Sequence, residues 1–340
     1  MTELRFGIVG AGRIATAYAD ALARSQRARL AAVADTRAQA AQAFGEGYGC
    51  PGYSSHQEMA GENLDGVIVC TPPVTHQAIC LDFLDRGVPV LCEKPLSIDT
   101  TSALRMIETA RNRGLTFTMA SKFRYVEDVA RAKSIIASGT LGEIVLFEMA
   151  FTSVVDMGSR WNSDPAVSGG GVLIDNGTHA VDLARYFLGP LGEVQVVEGK
   201  RNQGLPVEET VRIFVRSTDG VLGSIDLSWS INKELDSYIN IHGSGGSLSV
   251  GWRESKYRLF SGRDWVVFGN GYDKVEAFRR QLDNFAGAIM GTEPLLIDCD
   301  DALASVQVIE AAYADLRRSH WIPVLDVPAG NGRTVAESRA

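Results

Sequence analysis

The sequence predicts an α/β protein in which a doubly wound parallel sheet is followed by a second α/β domain with a large, open and mostly antiparallel sheet. Over the first 120 residues, short apolar runs alternate with segments of helical periodicity, which is typical of a parallel sheet covered on both faces. Later runs rich in β-branched and aromatic residues follow one another with little helix between them. The length of 340 residues also exceeds one ordinary core.

The first domain is assigned to residues 1–122. Short apolar runs predict its strands at 4–9, 29–34, 65–70, 88–92 and 115–119. Helical periodicity predicts helices at 13–25, 36–45, 74–87 and 99–113. Because strands and helices alternate, right-handed crossovers are expected to bring the strands together in parallel.

The second domain is assigned to residues 123–328. It is predicted to begin with a helix near 126–138 and to end with helices at 273–290 and 300–318. Its strands are predicted at 143–155, 193–201, 208–217, 221–231, 236–243, 246–250, 256–260 and 264–268. The turns at 217–220 and 243–246 suit antiparallel hairpins. Residues 329–340 lack periodicity and are predicted to form a disordered tail.

The composition is that of a soluble globular protein, with 45% hydrophobic and 22% charged residues. A net charge of −8 disfavours nucleic acid or an anionic membrane as partner, because both need a basic face. A small molecule is the expected ligand. The N-terminus enters a strand without a secretory segment, so a cytoplasmic location is expected. The five cysteines form no C-x-x-C pair and are expected to be structural thiols.

A glycine-rich turn predicts a nucleotide site. The run Gly10-Ala11-Gly12-Arg13-Ile14-Ala15 follows a strand and opens a helix, so backbone amides at the helix N-terminus can approach a pyrophosphate, as in the Rossmann dinucleotide-binding fold. Asp35 ends the second strand 20 residues after Ala15, where a carboxylate would accept both ribose hydroxyls. The alternative is a tight strand-to-helix turn without a ligand.

Asp35 also bears on the choice of cofactor. A carboxylate at this position repels the 2′-phosphate of NADP, so NAD is favoured. Arg37 lies two residues further on and either partly compensates this repulsion or is a solvated arginine at a helix start.

Two further strand ends point to the same edge of the sheet. After the third strand, Thr71-Pro72-Pro73 makes a rigid turn that leads to His76, which either contacts the cofactor or caps the turn. After the fourth strand, Glu93-Lys94-Pro95 places a lysine where ligands bind in open α/β sheets. A lysine beside a positively charged nicotinamide is expected to have a lowered pKa and to hydrogen-bond a substrate oxygen. The alternative is an ion pair with a carboxylate such as Glu93.

A second motif lies in the other half of the chain. Three glycines, 169–171, approach a helix on which Asp175 and His179 are four residues apart and share a face, with Asp182 one turn beyond. A histidine with a pKa near neutrality suits general acid/base catalysis. The alternatives are a helix cap at Asp175 and a structural histidine. No metal is expected, because no Cys or His cluster supplies further ligands.

Together these motifs resemble those of the Gfo/Idh/MocA oxidoreductase family, named for glucose-fructose oxidoreductase and inositol dehydrogenase. The resemblance spans nearly the whole chain. It implies a Rossmann domain followed by an α/β domain whose open sheet makes homodimer or homotetramer contacts. It also implies that Lys94, Asp175 and His179 form the catalytic set, that Glu93 helps to bind the cofactor, and that the peptide before Pro95 is cis.

One segment departs from the family pattern. Members often carry Asn-Arg-Arg-Phe or similar after the fifth strand, whereas this chain has Lys122-Phe123-Arg124-Tyr125. Lys122, Arg124 and Tyr125 are therefore candidates for substrate contacts. Lys122 adds a cation near either the nicotinamide or the substrate, and the alternative is a structural salt bridge. The run Arg160-Trp161-Asn162 resembles the family's substrate loop, where Trp161 packs either on a sugar ring or in the core.

The leading hypothesis is NAD-dependent hydride transfer at a secondary alcohol or ketone of a polyhydroxylated sugar, amino sugar, aminoglycoside-type compound or cyclitol. An amino group would need acidic partners, for which the candidates are Asp156, Asp164, Glu208 and Glu234. Two other hypotheses are a glycosidase that retains NAD and a ligand-sensing regulator without catalysis.

Overall fold

The first sheet has six parallel strands in the order β3-β2-β1-β4-β5-β6. The computed structural model describes residues 3–318. The strands are β1 (Leu4–Val9), β2 (Ala28–Ala34), β3 (Gly52–Tyr53), β4 (Gly66–Val69), β5 (Val90–Glu93) and β6 (Phe117–Ala120). The strand order reverses beside β1, and the crevice at such a point, outside the carboxyl ends of the strands, is where open α/β sheets bind ligands. The predicted Rossmann topology is confirmed.

Helices cover both faces of this sheet. They are α1 (Arg13–Leu22), α2 (Ala38–Tyr48), α3 (His56–Met59), α4 (His76–Asp85) and α5 (Thr100–Arg113). Phe6 and Tyr18 lie in the apolar cluster on one face, and Phe83 and Met106 lie in the cluster on the other. The sequence did not predict β3 and α3, because elements of two and four residues are too short to show periodicity.

The second sheet has eight strands in the order β14-β13-β12-β11-β7-β10-β9-β8. They are β7 (Ile144–Thr152), β8 (Leu191–Glu198), β9 (Thr210–Ser217), β10 (Leu222–Ser228), β11 (Ser237–Gly243), β12 (Gly246–Gly251), β13 (Ser255–Leu259) and β14 (Val266–Gly269). All neighbouring strands are antiparallel except β7 and β10. The mostly antiparallel sheet and both predicted hairpins are confirmed.

Helices pack on one face of the second sheet. The remaining helices are α6 (Glu127–Ala137), α7 (Pro165–Ser168), α8 (Val172–Leu188), α9 (Lys274–Ile289) and α10 (Cys299–Leu316). Of these, α6, α8 and α10 contact the sheet, where Val181 and Ala184 of α8 share a core with Ile213 and Leu227. On the opposite face, the side chains of β9 alternate between exposed and half-buried.

One C-terminal helix packs into the core of the first sheet, although it lies beyond the domain boundary predicted at residue 122. Phe278, Leu282 and Phe285 of α9 lie in the same buried cluster as Phe6 and Tyr18. A division into 1–122 and 123–328 therefore separates the first sheet from part of its own core. The predicted tail at 329–340 lies outside the described residues.

None of the helices between residues 3 and 318 combines the length and the apolar character needed to cross a membrane.

Candidate active site

The glycine turn leaves an open groove at the start of α1. Gly10 has φ +98°, and a Cβ atom there would lie 2.9 Å from the carbonyl oxygen of Cys70. A Cβ atom on Gly12 would meet nothing within 4 Å, so the space in front of the helix N-terminus is free. Arg13 and Ile14 line the same cleft. This arrangement fits a dinucleotide pyrophosphate, which needs close approach to amides at a helix start.

Asp35, at the end of β2, contacts the glycine turn. Its carboxylate accepts hydrogen bonds from the amides of Ala11 at 2.8 Å and Arg37 at 2.9 Å, and from the guanidinium of Arg37. Burial alone would raise the pKa of Asp35, but the bonds from Arg37 and Ala11 outweigh it, so the pKa is lowered. Arg37 therefore lies against Asp35, although its side chain is largely exposed. The ionised carboxylate fits the predicted role at the ribose hydroxyls.

His76 does not reach the cleft. The side chain is fully buried, with Nδ1 3.0 Å from the carbonyl oxygen of Pro95 and Nε2 2.8 Å from that of Thr71. It links the Thr71 turn to the segment after β5 through the carbonyl oxygen of Pro95. The Lys94–Pro95 peptide that precedes this carbonyl is cis as expected. Of the two roles considered for His76, the structure shows the one at the turn and places the side chain outside the cleft. Thr71 lines the cleft and Pro72 does not, because Pro73 occupies the inner side of the turn.

Lys94 connects the two domains. Its Nζ atom lies 2.5 Å from Oδ1 of Asp175 and 3.0 Å from the carbonyl oxygen of the same residue. The ion pair that was considered with Glu93 is thus made with Asp175 on α8. Asp175 is a first-turn residue of this helix and does not act as its cap.

Glu93 lies beneath this pair. The buried carboxylate accepts hydrogen bonds from the hydroxyl of Tyr18 at 2.7 Å and from the amide of Lys94 at 3.0 Å. Burial raises the pKa of Glu93 in spite of the nearby Lys94. Glu93 lines the cleft, and its carboxylate supports the strand end that carries Lys94.

His179 faces the cleft from the next turn of α8. Its ring packs edge-on against Phe123, with the ring centroids 5.0 Å apart, and the buried Nδ1 atom has no partner among the described residues. The pKa of His179 is lowered well below its usual value. Burial has the largest effect, and the charges of Lys94 and Lys122 act in the same direction. The imidazole is therefore neutral at pH 7 and able to accept a proton.

The cleft consists of two adjoining cavities of about 360 and 350 Å³, which is the size range of small-molecule sites. Residues common to both are Ile14, Glu93, Lys94, Ser153 and Asn176.

The first cavity extends to Arg160, Trp161 and Asn162, and the 45% exposure of Trp161 excludes the core position that had been an alternative. The second cavity brings Lys122 together with His179.

Several cleft residues were not singled out from the sequence. They are Ser153, Met157, Asn176, Trp229, Phe151 and Trp252. Asn176 could have been found because it follows Asp175 in the motif. Met157 lies in the irregular segment after β7, and the others lie in or directly after strands of the second sheet. Alternation of apolar residues predicts the buried face of such a strand but does not predict which strand end lies next to the first domain.

Arg124 and Tyr125 do not line the cleft, contrary to the prediction. The guanidinium of Arg124 is buried and lies 2.6 Å from Asp182 and 2.7 Å from Asp301. The hydroxyl of Tyr125 donates to Asn284 at 3.0 Å. The segment 122–125 forms one 3₁₀ turn, so successive side chains point in different directions. Lys122 faces the cavity, while Arg124 enters the protein interior.

Two of the three glycines allow close packing at the start of α8. A Cβ atom on Gly170 would lie 1.9 Å from the hydroxyl of Tyr313, and one on Gly171 would lie 2.1 Å from the carbonyl oxygen of Glu208. Oε1 of Glu208 accepts from the amides of Gly171 and Leu173 at the start of α8, and from Tyr313 at 2.7 Å. Gly170 and Gly171 therefore allow the carboxylate of Glu208 to cap α8.

The acidic residues considered for an amino group lie outside the cleft. Glu208 belongs to the buried cap, Asp164 accepts from the amide of Ala166 at the start of α7, and Asp156 accepts from the amide of Gly158. Glu234 lies in a separate depression beside β11 and β12. Between residues 3 and 318, no three His, Cys, Asp or Glu side chains are grouped as metal ligands would be.

Comparison with known families agrees with this geometry. The family described as "Oxidoreductase family, NAD-binding Rossmann fold" matches residues 4–121. The family described as "GFO/IDH/MocA C-terminal domain" matches residues 129–249.

Individual relatives are similar over most of their length. Inositol 2-dehydrogenase of Rhizobium meliloti (strain 1021) is 25% identical over 94% of this chain and 99% of its own. Trans-1,2-dihydrobenzene-1,2-diol dehydrogenase of Bos taurus is 30% identical over 73% of this chain and 74% of its own. The solved structure of GenD2 from gentamicin A biosynthesis in complex with NAD is 25% identical, with a TM-score of 0.83 over 93% of this chain and 95% of that one. The chain belongs to the Gfo/Idh/MocA family of NAD-binding oxidoreductases.

Proposed function

We propose that this protein oxidises a secondary hydroxyl of a sugar or cyclitol with NAD, or reduces the corresponding ketone. The observation that carries the proposal is the meeting of a neutral His179 with the Lys94–Asp175 pair in a cleft that continues the dinucleotide groove. NAD, when bound, supplies the hydride acceptor, and the protein handles the proton and the oxygen.

His179 is the proposed general base for oxidation. Its neutral imidazole takes the proton of the substrate hydroxyl, and in the reverse direction the imidazolium returns it to the carbonyl oxygen. Such proton transfer typically contributes about 10²- to 10⁴-fold to the rate. The lowered pKa of His179 keeps the base unprotonated at neutral pH, which suits the oxidative direction.

Lys94 is proposed to hold the reacting oxygen. Its ammonium donates a hydrogen bond and stabilises the negative charge that develops as the proton leaves. Asp175 accepts from Lys94 at 2.5 Å and so keeps the ammonium at the junction of the two cavities. Asp175 is therefore a positioning residue, because its carboxylate acts on Lys94.

The walls of the cleft support a polyhydroxylated substrate. Trp161 and Trp252 offer apolar faces for ring C–H groups, and Asn162 and Asn176 offer hydrogen bonds to hydroxyls. The likeness to an inositol 2-dehydrogenase supports a cyclitol. The likeness to GenD2 supports an aminoglycoside-type substrate, although the two carboxylates that line the cleft are already engaged with Lys94 and Tyr18.

A screen of purified protein tests the proposal. NADH and NADPH formation would be followed with a panel of cyclitols, sugars and aminoglycosides, each at neutral pH. We expect net NADH in proportion to substrate consumed, with NADP used less well because of Asp35. Cleavage of a glycoside without net NADH would contradict the proposal and would indicate a glycosidase that retains NAD. Binding of a sugar without any turnover would indicate a ligand-sensing protein.

We also propose that the protein forms a homodimer or homotetramer through the second sheet. Leu222 on β10 and Val266 on β14 are exposed by 44% and 48%. Light scattering of the eluted protein would show a mass of two or four chains, and a single-chain mass would contradict this proposal. The cytoplasmic location stays a prediction from the sequence.

A further inference from the structure

Lys122 is a cation in the cleft that forms no ion pair with a carboxylate among residues 3–318, although Glu93 and Asp175 act on its charge from a longer distance. It is the first residue of the 3₁₀ turn that follows β6, and its partly buried side chain lines the cavity that contains His179 and Lys94. The side chain therefore lies in the part of the cleft where the proposed substrate would be bound.

The surroundings of the Lys122 ammonium are aromatic. Nζ lies 5.3 Å from the ring centroid of Phe123, 5.3 Å from that of Phe278 and 5.9 Å from that of Tyr272. Within the part of the chain that the structure describes, it forms neither an ion pair nor a hydrogen bond. The ammonium of Lys94, in contrast, donates hydrogen bonds to the carboxylate and to the carbonyl oxygen of Asp175. The Lys122 ammonium offers three donors, and a ligand that displaces water from the cavity has to supply an acceptor for them.

We propose that Lys122 is a specificity-determining residue whose ammonium donates to a second substrate oxygen, next to the oxygen that reacts at Lys94 and His179, so that the enzyme selects vicinal diols. This inference rests on the proposed function. A lysine has donors only, so the group it recognises must be an acceptor such as a hydroxyl, and a protonated amine at this position would be repelled.

Lys94 and Lys122 line the same cavity as His179. The charges of both lysines lower the pKa of the imidazole, after the larger effect of burial. Two ammonium donors in one cavity with a general base suit two neighbouring oxygens of one substrate. A single hydroxyl bound at Lys94 would leave Lys122 without an acceptor.

Lys122 is charged at neutral pH. Burial lowers its pKa to about 8, and the groups that act on it are Glu93 and Lys94 at the end of β5, Lys274 on α9 and Asp175 on α8. Glu93 and Asp175 favour the charged form, and the two lysines oppose it. The ammonium is therefore available as a donor near pH 7 and loses its proton above about pH 8.

The test compares diols with their deoxy analogues in three variants. The substrates are myo-inositol and D-glucose, each paired with the analogue that lacks the hydroxyl next to the oxidised carbon. Lys122→Met keeps the length of the side chain and suits the aromatic surroundings. Lys122→Arg keeps a cationic donor. Lys133→Met is the matched control, because Lys133 also lies over a ring, that of Tyr186 at 5.4 Å, but does not line the cleft.

In the wild-type protein and in Lys133→Met, loss of the neighbouring hydroxyl is expected to lower kcat/KM by roughly 10- to 100-fold, the range for a hydrogen bond to a charged group. In Lys122→Met, loss of the neighbouring hydroxyl should lower kcat/KM by less than about 3-fold. Lys122→Arg should retain most of the difference in kcat/KM between the diol and its deoxy analogue. The Kd for NADH, measured by fluorescence, should be the same in all four proteins. Thermal unfolding midpoints confirm that each variant is folded.

Two results would overturn the inference. One is unchanged discrimination in Lys122→Met. The other is weaker NADH binding with discrimination retained, which would place the ammonium on the carboxamide oxygen of the nicotinamide. If the wild-type protein oxidises the deoxy analogues as well as the diols, vicinal selection is wrong while the proposed oxidation stands. If it oxidises none of the compounds, the proposed function fails, and the inference fails with it.

Discussion

At the scale of single residues, the arrangement of the proposed catalytic residues depends on which group the carboxylate of Asp175 contacts. The spacing of Asp175 and His179 on one helix face would allow the carboxylate to orient the imidazole. Instead the carboxylate accepts from Lys94, which is 81 residues away in the chain, and His179 is held by packing against Phe123. In the proposed mechanism, Asp175 therefore positions Lys94, and His179 transfers the proton.

This division predicts the effect of replacing Asp175 by Asn. The variant keeps the shape of the side chain but removes the charge that fixes the ammonium of Lys94. Displacement of a catalytic group by about 1 Å can cost about 10²-fold in rate, so kcat for NAD reduction should fall by about this factor while KM changes little. Steady-state kinetics test this, with Asp164→Asn at the start of α7 as the control. Wild-type kcat in Asp175→Asn would contradict the positioning role.

The pH dependence offers a second test at this scale. Because the pKa of His179 is lowered, kcat/KM for oxidation should stay level as pH falls through 6.5 and decline only at lower pH. Lys122→Met removes one of the positive charges that lower this pKa, so the acid limb of the profile should move to higher pH. Lys133→Met should leave it in place. A limb that moves to lower pH, or one that does not move, would show that Lys122 does not act on His179.

At the scale of elements, the start of α8 determines where the catalytic side chains lie. The helix begins against the carboxylate of Glu208 and the hydroxyl of Tyr313, and both contacts require glycine at positions 170 and 171. Burial raises the pKa of Glu208. This cap joins α8 to the start of β9 and to α10, so the second sheet supports the helix that carries Asp175 and His179.

Two glycine substitutions distinguish a glycine needed for stability from a glycine needed for cofactor binding. Gly171→Ala would place a Cβ atom 2.1 Å from a backbone oxygen, and such overpacking costs about 1–3 kcal/mol or more. Gly12→Ala would meet nothing within 4 Å, so stability should be unchanged while NAD binds more weakly. Chemical denaturation and NADH fluorescence measure the two effects. Equal losses of stability in both variants would contradict this distinction.

The same elements show what could be predicted from the sequence. The regular strands and helices follow from apolar periodicity, and Lys94, Asp175 and His179 follow from motifs. The partner of Lys94, the cap at Glu208 and the inward turn of Arg124 could not be predicted, because each depends on a contact between segments that lie far apart in the chain. Apolar periodicity predicts which face of a helix or strand is buried, but it does not predict which side chain of another segment packs against that face.

At the scale of the whole molecule, the two C-terminal helices pack against the first sheet, although the second sheet precedes them in the chain. Helix α9 fills the core beside β1 and α1 with Phe278, Leu282 and Phe285. Helix α10 places Val306 in the cluster on the other face of the first sheet and Ile309 in the core of the second. The C-terminal helices therefore contribute to the cores on both sheets, and residues from both domains line the cleft.

This topology predicts that residues 1–122 do not fold alone. Without α9, the apolar surface of Phe6, Ile8 and Tyr18 would be exposed, and truncation of one large core side chain already costs about 3–5 kcal/mol. Circular dichroism and amide NMR of the fragment should show no cooperative unfolding, whereas the full chain should unfold cooperatively. A fragment that folds and binds NADH would contradict the view that α9 belongs to the first core.

The central claim is that Lys94 and His179 carry out alcohol oxidation together, and the most direct measurement is single-turnover NADH formation by the wild-type protein, Lys94→Ala and His179→Asn with a confirmed polyol substrate. We expect each variant to bind NADH normally and to form NADH about 10²- to 10⁴-fold more slowly. The double variant should be little slower than either single one. Wild-type rates of NADH formation in Lys94→Ala would contradict the account.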